Sequence, residues 1–151
     1  MTLNPGPLLR PIVLGGLIAG TIDIGAACLI NWLKPIVILH AIASGVLGRA
    51  SFHEGMRSAA LGLALQWAMS ILIAAIFVLA TRWMDSLRRN WLGSGVAYGV
   101  VIFFVMNYAV VPLSAVGHAP HFTAPQLAGN MLAMLLIGLI IAFFARERSG
   151  A

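Results

Sequence analysis

Residues Ala59–Ala80 read AALGLALQWAMSILIAAIFVLA and contain no charged side chain. A helix needs roughly 20 apolar residues to cross the ~30 Å hydrocarbon core of a bilayer, so this stretch is long enough to cross one. Only 9% of the 151 residues are charged, whereas soluble domains carry about 25%. The stretch therefore predicts an all-α protein of the membrane.

Three other apolar runs have a similar length. In chain order, the four runs cover residues 12–31, 59–80, 91–111 and 127–145. Every backbone amide in lipid needs an internal partner, and the alternating polarity of a barrel strand is absent, so the runs must be helices. We predict one integral membrane domain over residues 1–151, a bundle of four transmembrane helices.

A shorter apolar segment, residues 35–48, lies between the first two runs. At about 14 residues it is too short for a comfortable crossing. We expect a helix that lies in the membrane interface, or that enters the membrane and returns on the same side. A fifth full crossing is the alternative.

Lysine and arginine residues near the ends of the runs predict the orientation, because cytoplasmic loops are enriched in them. If the N-terminus is inside, the cytoplasmic side carries Arg10, Arg82, Arg88, Arg89, Arg146 and Arg148. The other side carries only Lys34, Arg49 and Arg57. We therefore expect a multi-pass protein of the bacterial inner membrane with both termini in the cytoplasm.

Two glycine pairs are spaced by four residues, which lets helix backbones approach closely. They are Gly16 with Gly20 in the first run and Gly95 with Gly99 in the third. The contacts they predict lie either within the bundle or between the subunits of a homo-oligomer. Membrane lipid is the other expected partner.

An acid interrupts the first run, in the stretch Gly16–Ala27, GLIAGTIDIGAA. An ionised side chain near mid-bilayer costs at least ~2.5 kcal/mol on insertion scales, and no lysine or arginine occupies the interior of another run. Asp23 is therefore expected to be protonated or strongly hydrogen-bonded. Two interpretations stay open. Asp23 exchanges protons, or it ties helices together through Ser70, Thr21, Asn107 or a water.

Four amide side chains fall toward the non-cytoplasmic ends of the runs: Asn31, Gln66, Asn107 and Asn130. Alternating helix directions would bring them to a similar depth, with Asp23 deeper. They could hydrogen-bond to one another between helices, or line a shallow cavity open to the outside. With Asp23 they are the candidate proton or solute site.

The four histidines lie outside the runs or at the same interface and are candidates for pH sensing. They are His40, His53, His118 and His121. A metal site needs three or four ligands, and the chain has a single cysteine, so we predict no metal and no cofactor. The net charge of +5 is scattered singly at the ends of the runs, which excludes a nucleic-acid-binding surface.

The C-terminal half resembles the YagU-like small inner-membrane proteins of bacteria. The resemblance is carried by Trp91-Leu92-Gly93, FFVMNYAVVPLS over residues 103–114, a loop with Pro120 and Phe122, Ala128-Gly129-Asn130, and GLIAG at residues 16–20. It implies an integral inner-membrane protein tied to acid stress, with no established activity. Where that group tends to have histidine near the ends of its last helices, this chain has Asn107 and Asn130, and its first connection is shorter.

Sequence signatures of enzymes are missing, including the Gly-x-Ser-x-Gly elbow, the phosphate-binding glycine loop and His-Glu-x-x-His. The first hypothesis is a non-enzymatic membrane protein with a role in envelope or acid-stress physiology. The second is a small proton-coupled transporter or channel that uses Asp23. The third is a membrane enzyme, which would need Asp23, His40 and His53 to converge.

Overall fold

The structure, a computed structural model, describes residues 6–146, and this part of the chain is helical without any strand. In chain order, the helices are α1 (Gly6–Asn31), α2 (Pro35–Leu47), α3 (Met56–Trp83), α4 (Asp85–Arg89), α5 (Trp91–Val105), α6 (Val111–Leu113) and α7 (Ala124–Arg146). A 3₁₀ turn, Gly48–Phe52, follows α2, and a π-helical turn, Met106–Val110, joins α5 to α6. The prediction of a helical protein is confirmed. Arg148, one of the arginines predicted to be cytoplasmic, lies outside the described residues.

Five helical segments, rather than the predicted four, are long and apolar enough to cross a membrane. Four of them contain the predicted runs. The fifth is Pro35–Phe52, which the sequence placed below crossing length. The difference arises because the 3₁₀ turn continues the helix beyond Gly48, where the apolar run ends. Gly48 itself has φ 63° and ψ −148°, a region that is essentially restricted to glycine.

The long helices alternate in direction. Along α1 and α3 the paired positions run in opposite senses, from Gly16 against Ile71 to Asp23 against Gln66. Helices α1 and α7 are also antiparallel, since Gly15 contacts Phe144 while Gly129 contacts Ile30. The same holds for α5 and α7, whose paired positions are Gly95 with Leu139 and Gly99 with Leu135.

Helix α2 lies at one end of this bundle, beside the first half of α3. Leu39 contacts Gly62, and the His40 Nε2 atom lies 3.0 Å from the carbonyl oxygen of Gly55. Further along α2, the Gly45 carbonyl accepts a hydrogen bond of 2.9 Å from the Ala115 amide. At this end, which we call the α2 end, α1 and α5 finish and α3 and α7 begin.

Both predicted glycine pairs are used inside the bundle. A Cβ atom added at Gly16 would lie 2.6 Å from the Ile71 Cα atom, and one at Gly20 would lie 2.6 Å from the Ser70 Oγ atom. Gly95 and Gly99 face α7, where Gly138 faces them in return. A homo-oligomer would therefore need a different surface from these two glycine pairs.

Consecutive helices do not all pack together. Helix α5 packs chiefly against α7, and α3 packs chiefly against α1 and α2. Helices α3 and α5 meet at few points, of which one is the Phe77–Tyr98 pair with ring centroids 4.9 Å apart. This leaves a lateral groove between α3 and α5.

Candidate functional site

Asp23 lies in the second half of α1 and lines a small cavity at the centre of the bundle. The cavity measures about 30 Å³, which is room for on the order of one or two water molecules. Helices α1, α3 and α7, and α5 with the π-helical turn that follows it, contribute to its wall. The lining residues are Asp23 from α1; Gln66, Met69, Ser70 and Ile73 from α3; Ile102 and Met106 from α5 and the π-helical turn; and Met134, Ile137 and Ile141 from α7.

Gln66 is the hydrogen-bond partner of Asp23. Its Nε2 atom donates to the Asp23 Oδ2 atom at 2.7 Å and lies 3.4 Å from the Gly20 carbonyl oxygen. Glycine at position 20 lets α3 come close enough for this contact, because an added Cβ atom would meet the Ser70 Oγ atom. The contact joins the only acid within a described long helix to an uncharged partner.

The depth of Gln66 differs from the prediction. Asp23 is eight residues from the end of α1 at Asn31, and Gln66 is ten residues from the start of α3 at Met56. At 1.5 Å per residue, these positions are about 12 Å and 15 Å from the α2 end. Gln66 therefore lies at the level of Asp23 and not with the other three amides. The bounds of the apolar runs already agree with this level, since Gln66 is seven residues from Ala59 and Asp23 is eight residues from Asn31.

The other predicted partners of Asp23 bond elsewhere. The Thr21 hydroxyl donates to the Leu17 carbonyl oxygen at 2.8 Å and accepts from the Trp67 Nε1 atom at 3.2 Å. The Asn107 Nδ2 atom donates to the Phe103 carbonyl oxygen at 2.9 Å. Ser70 lines the cavity and is buried, so it borders Asp23 without serving as its partner among the described hydrogen bonds.

The remaining amides do not bond to one another. Asn31 Oδ1 accepts from Gln126 Nε2 at 3.3 Å, and Asn130 Nδ2 donates to the Gln126 carbonyl oxygen at 2.8 Å. Gln126 also forms a capping box with Thr123, in which each side chain bonds the backbone amide of the other. Its signal, Thr-x-x-Gln before an apolar run, was present in the sequence. The described hydrogen bonds at this depth thus hold α1 to α7, whereas the Asn107 side chain bonds within its own helical segment.

All four histidines lie at the α2 end, away from the cavity. His118 and His121 are exposed, with ring centroids 6.3 Å apart. His53 is exposed at the end of the 3₁₀ turn, and His40 packs against Phe52. Within residues 6–146 no group of three or more histidine, cysteine or acidic residues is placed to hold a metal ion.

Sequence reasoning missed the methionines of the cavity. Met69, Met106 and Met134 come from three different elements and form much of its apolar wall. Methionine is flexible and fills irregular gaps, so these side chains can change rotamer with little cost. Met106 also opens the π-helical turn, a feature that is common at functional sites. No spacing in the sequence links the three positions.

Comparisons of this chain with protein-family models, curated proteins and solved structures find no match. The resemblance to the YagU-like group therefore stays a prediction.

Proposed function

We propose that the protein is a multi-pass protein of the bacterial inner membrane in which α1, α3, α5 with its continuation, and α7 cross, while α2 returns to its own side. The antiparallel arrangement of α1 and α3 supports this topology. If α2 also crossed, α3 would start on the side where α1 starts, and the two helices would run parallel. Both termini would then be cytoplasmic, because cytoplasmic loops are rich in lysine and arginine and the described end opposite α2 carries Arg10, Arg82, Arg88, Arg89 and Arg146.

Single-cysteine labelling tests this topology. Lys34→Cys and Glu54→Cys flank α2 and its 3₁₀ turn, and both are made in a Cys28→Ser background. An impermeant maleimide should label both in intact cells, whereas Ser86→Cys in α4 should react only after the membrane is opened. Labelling of Lys34→Cys and Glu54→Cys from opposite sides would establish a fifth crossing instead.

Within this topology, we propose that Asp23 is a proton-exchanging site and that the protein is a small proton-coupled transporter or channel. One observation carries the proposal: the only acid in the described long helices lines a cavity of about 30 Å³ at the bundle centre and has no cationic partner. Ionisable residues inside membranes face such cavities when they serve proton pathways. A cavity of this size suits water and protons and excludes a larger solute.

Gln66 suits both protonation states of Asp23. An ionised carboxylate only accepts hydrogen bonds, and the amide Nε2 atom of Gln66 can donate to it. A protonated carboxyl group donates one hydrogen bond, which the Oε1 atom of the same amide can accept after a rotation about its last torsion. Gaining or losing a proton therefore does not leave Asp23 without a partner.

Proton flux into proteoliposomes under an imposed pH gradient tests this function. We expect flux above that of empty liposomes for the unmodified protein, and its loss in Asp23→Asn. Asp85→Asn is the matched control, because it makes the same acid-to-amide change at the exposed ion pair with Arg88. Equal flux from Asp23→Asn and Asp85→Asn would refute a role for Asp23 in proton transfer.

A non-enzymatic structural role in envelope or acid-stress physiology is the second candidate, and the 2.7 Å contact between Asp23 and Gln66 favours it. In that case no variant changes flux, and Asp23→Asn affects only stability. The acid-stress link that the YagU-like resemblance implies is compatible with either role. The membrane-enzyme hypothesis needs His40 and His53 to converge on Asp23, and both histidines lie at the α2 end, away from its cavity.

A further inference from the structure

The lateral groove between α3 and α5 is a much larger concave feature than the Asp23 cavity. It measures about 420 Å³, which lies within the ~300–1,000 Å³ of ligand pockets. Its walls are Ile76, Phe77, Ala80, Leu87, Asn90, Gly93, Ser94, Ala97, Tyr98 and Val101. Ile76 and Val101 are each 53% exposed, so the groove opens sideways toward the surrounding lipid.

The length of the groove matches one leaflet. It extends along α5 from Asn90, just before the first helical residue, to Val101, ten residues after Trp91. At 1.5 Å per residue this is about 15 Å, half of the ~30 Å hydrocarbon core. An acyl chain of the adjacent leaflet has about this length. It is also apolar, as is most of the groove wall, which consists mainly of aliphatic and aromatic side chains.

The end of the groove next to α4 is basic. Leu87 and Asn90 line it there, and Arg88 and Arg89 lie between them in the chain. Arg82 lies in the last turn of α3, at the same end of the bundle. Asp85 is the one acid in this loop and is paired with Arg88 at 2.7 Å. Arg82 and Arg89 have no ion pair with any described residue.

We propose that this groove binds an anionic phospholipid, with one acyl chain between α3 and α5 and the phosphate headgroup against Arg82 and Arg89. Charge complementarity selects the headgroup, because arginines at the membrane surface attract anionic lipids. A second copy of the chain is a poorer occupant, since it would bring the same arginines into this end. The site is separate from Asp23, so it stands whether or not the protein moves protons.

Native mass spectrometry of the purified protein, with phosphatidylglycerol or phosphatidylcholine of identical acyl chains, tests the headgroup. We expect preferential retention of phosphatidylglycerol, and a roughly fivefold lower preference for each arginine removed in Arg82→Gln and Arg89→Gln. The matched control is Lys34→Gln with Arg57→Gln, which removes two positive charges near the α2 end and should leave the preference intact. Equal retention of both lipids by the unmodified protein would overturn the proposal.

A second pair of variants tests the groove. Ala97→Trp fills it, whereas Ala68→Trp places the same side chain at an exposed position of α3 outside the groove. We expect Ala97→Trp to lower retention of both lipids and Ala68→Trp to leave it unchanged. Identical lipid retention by the two variants would contradict binding in the groove. The proposal would also be wrong if Ala97→Trp abolished a dimer seen in the mass spectrum and left the bound lipid unchanged, because a second copy of the chain would then occupy the groove.

Discussion

The contact between α5 and α7 depends on glycine at position 99, and Gly99→Ala tests how tightly the bundle is packed. An added Cβ atom would lie 2.6 Å from the Met134 carbonyl oxygen and 2.7 Å from the Leu135 Cα atom. Ordinary contact begins at about 3.4 Å, so the helices would have to separate locally by about 3.4 − 2.6 = 0.8 Å. Backbone atoms cannot turn away as a side chain can, and overpacking of this kind costs about 1–3 kcal/mol.

Gly25→Ala is the matched control, because nothing lies within 4 Å of the Cβ atom it would add in α1. Alanine is a better helix former than glycine by up to about 1 kcal/mol, so this variant should be neutral or stabilising. The free energy of unfolding, measured by titration with denaturing detergent and circular dichroism, should fall for Gly99→Ala only. Equal stability of the two variants would refute close packing of α5 on α7.

Three further substitutions have defined outcomes in the same unfolding assay. Gln66→Leu leaves the half-buried Asp23 carboxyl without its donor and should cost about 1–3 kcal/mol. Gln66→Leu combined with Asp23→Asn should cost no more than the sum of the single changes. An unchanged free energy of unfolding in Gln66→Leu would contradict the contact. Gly48→Ala should cost about 1–3 kcal/mol through its positive φ alone, since no atom crowds its Cβ position; an unchanged stability would show that the turn adapts. Tyr98→Phe removes the 2.7 Å hydrogen bond to the Ile73 carbonyl oxygen and should cost about 0.6 kcal/mol, and at most roughly 1.7 kcal/mol; a larger loss would mean that the ring also repacks.

The sequence predicts the long helices well because composition alone governs them. A run without charges has only one regular conformation in lipid, so the cores of α1, α3, α5 and α7 follow from the apolar pattern. The ends are less well predicted: α3 begins at Met56 rather than Ala59, and α7 begins at Ala124 rather than Leu127. Polar and basic residues at these ends still make helical backbone hydrogen bonds, which hydrophobicity does not report.

The sequence names two members of the candidate site, Asp23 and Gln66, but does not predict their hydrogen bond. Asp23 is conspicuous because an acid within an apolar run is costly. Its pairing with Gln66 depends on how closely Gly20 lets α3 approach α1, which the spacing of polar residues does not encode. The hydrogen bond between Gln126 and Asn31 could not be predicted for a related reason. The sequence contains the capping box of Thr123 and Gln126, but it does not show that the end of α1 packs beside it.

The weak contact between α3 and α5 divides the molecule into two antiparallel hairpins, α1 with α3 and α5 with α7, joined mainly where α1 meets α7. During synthesis the first hairpin can leave the ribosome and close before the second exists. The last helix then completes both halves at once, because α7 closes α5 and covers the free side of α1. Helix α7 supplies Met134, Ile137 and Ile141 to the cavity wall, so a chain without α7 would leave Asp23 on an open hairpin.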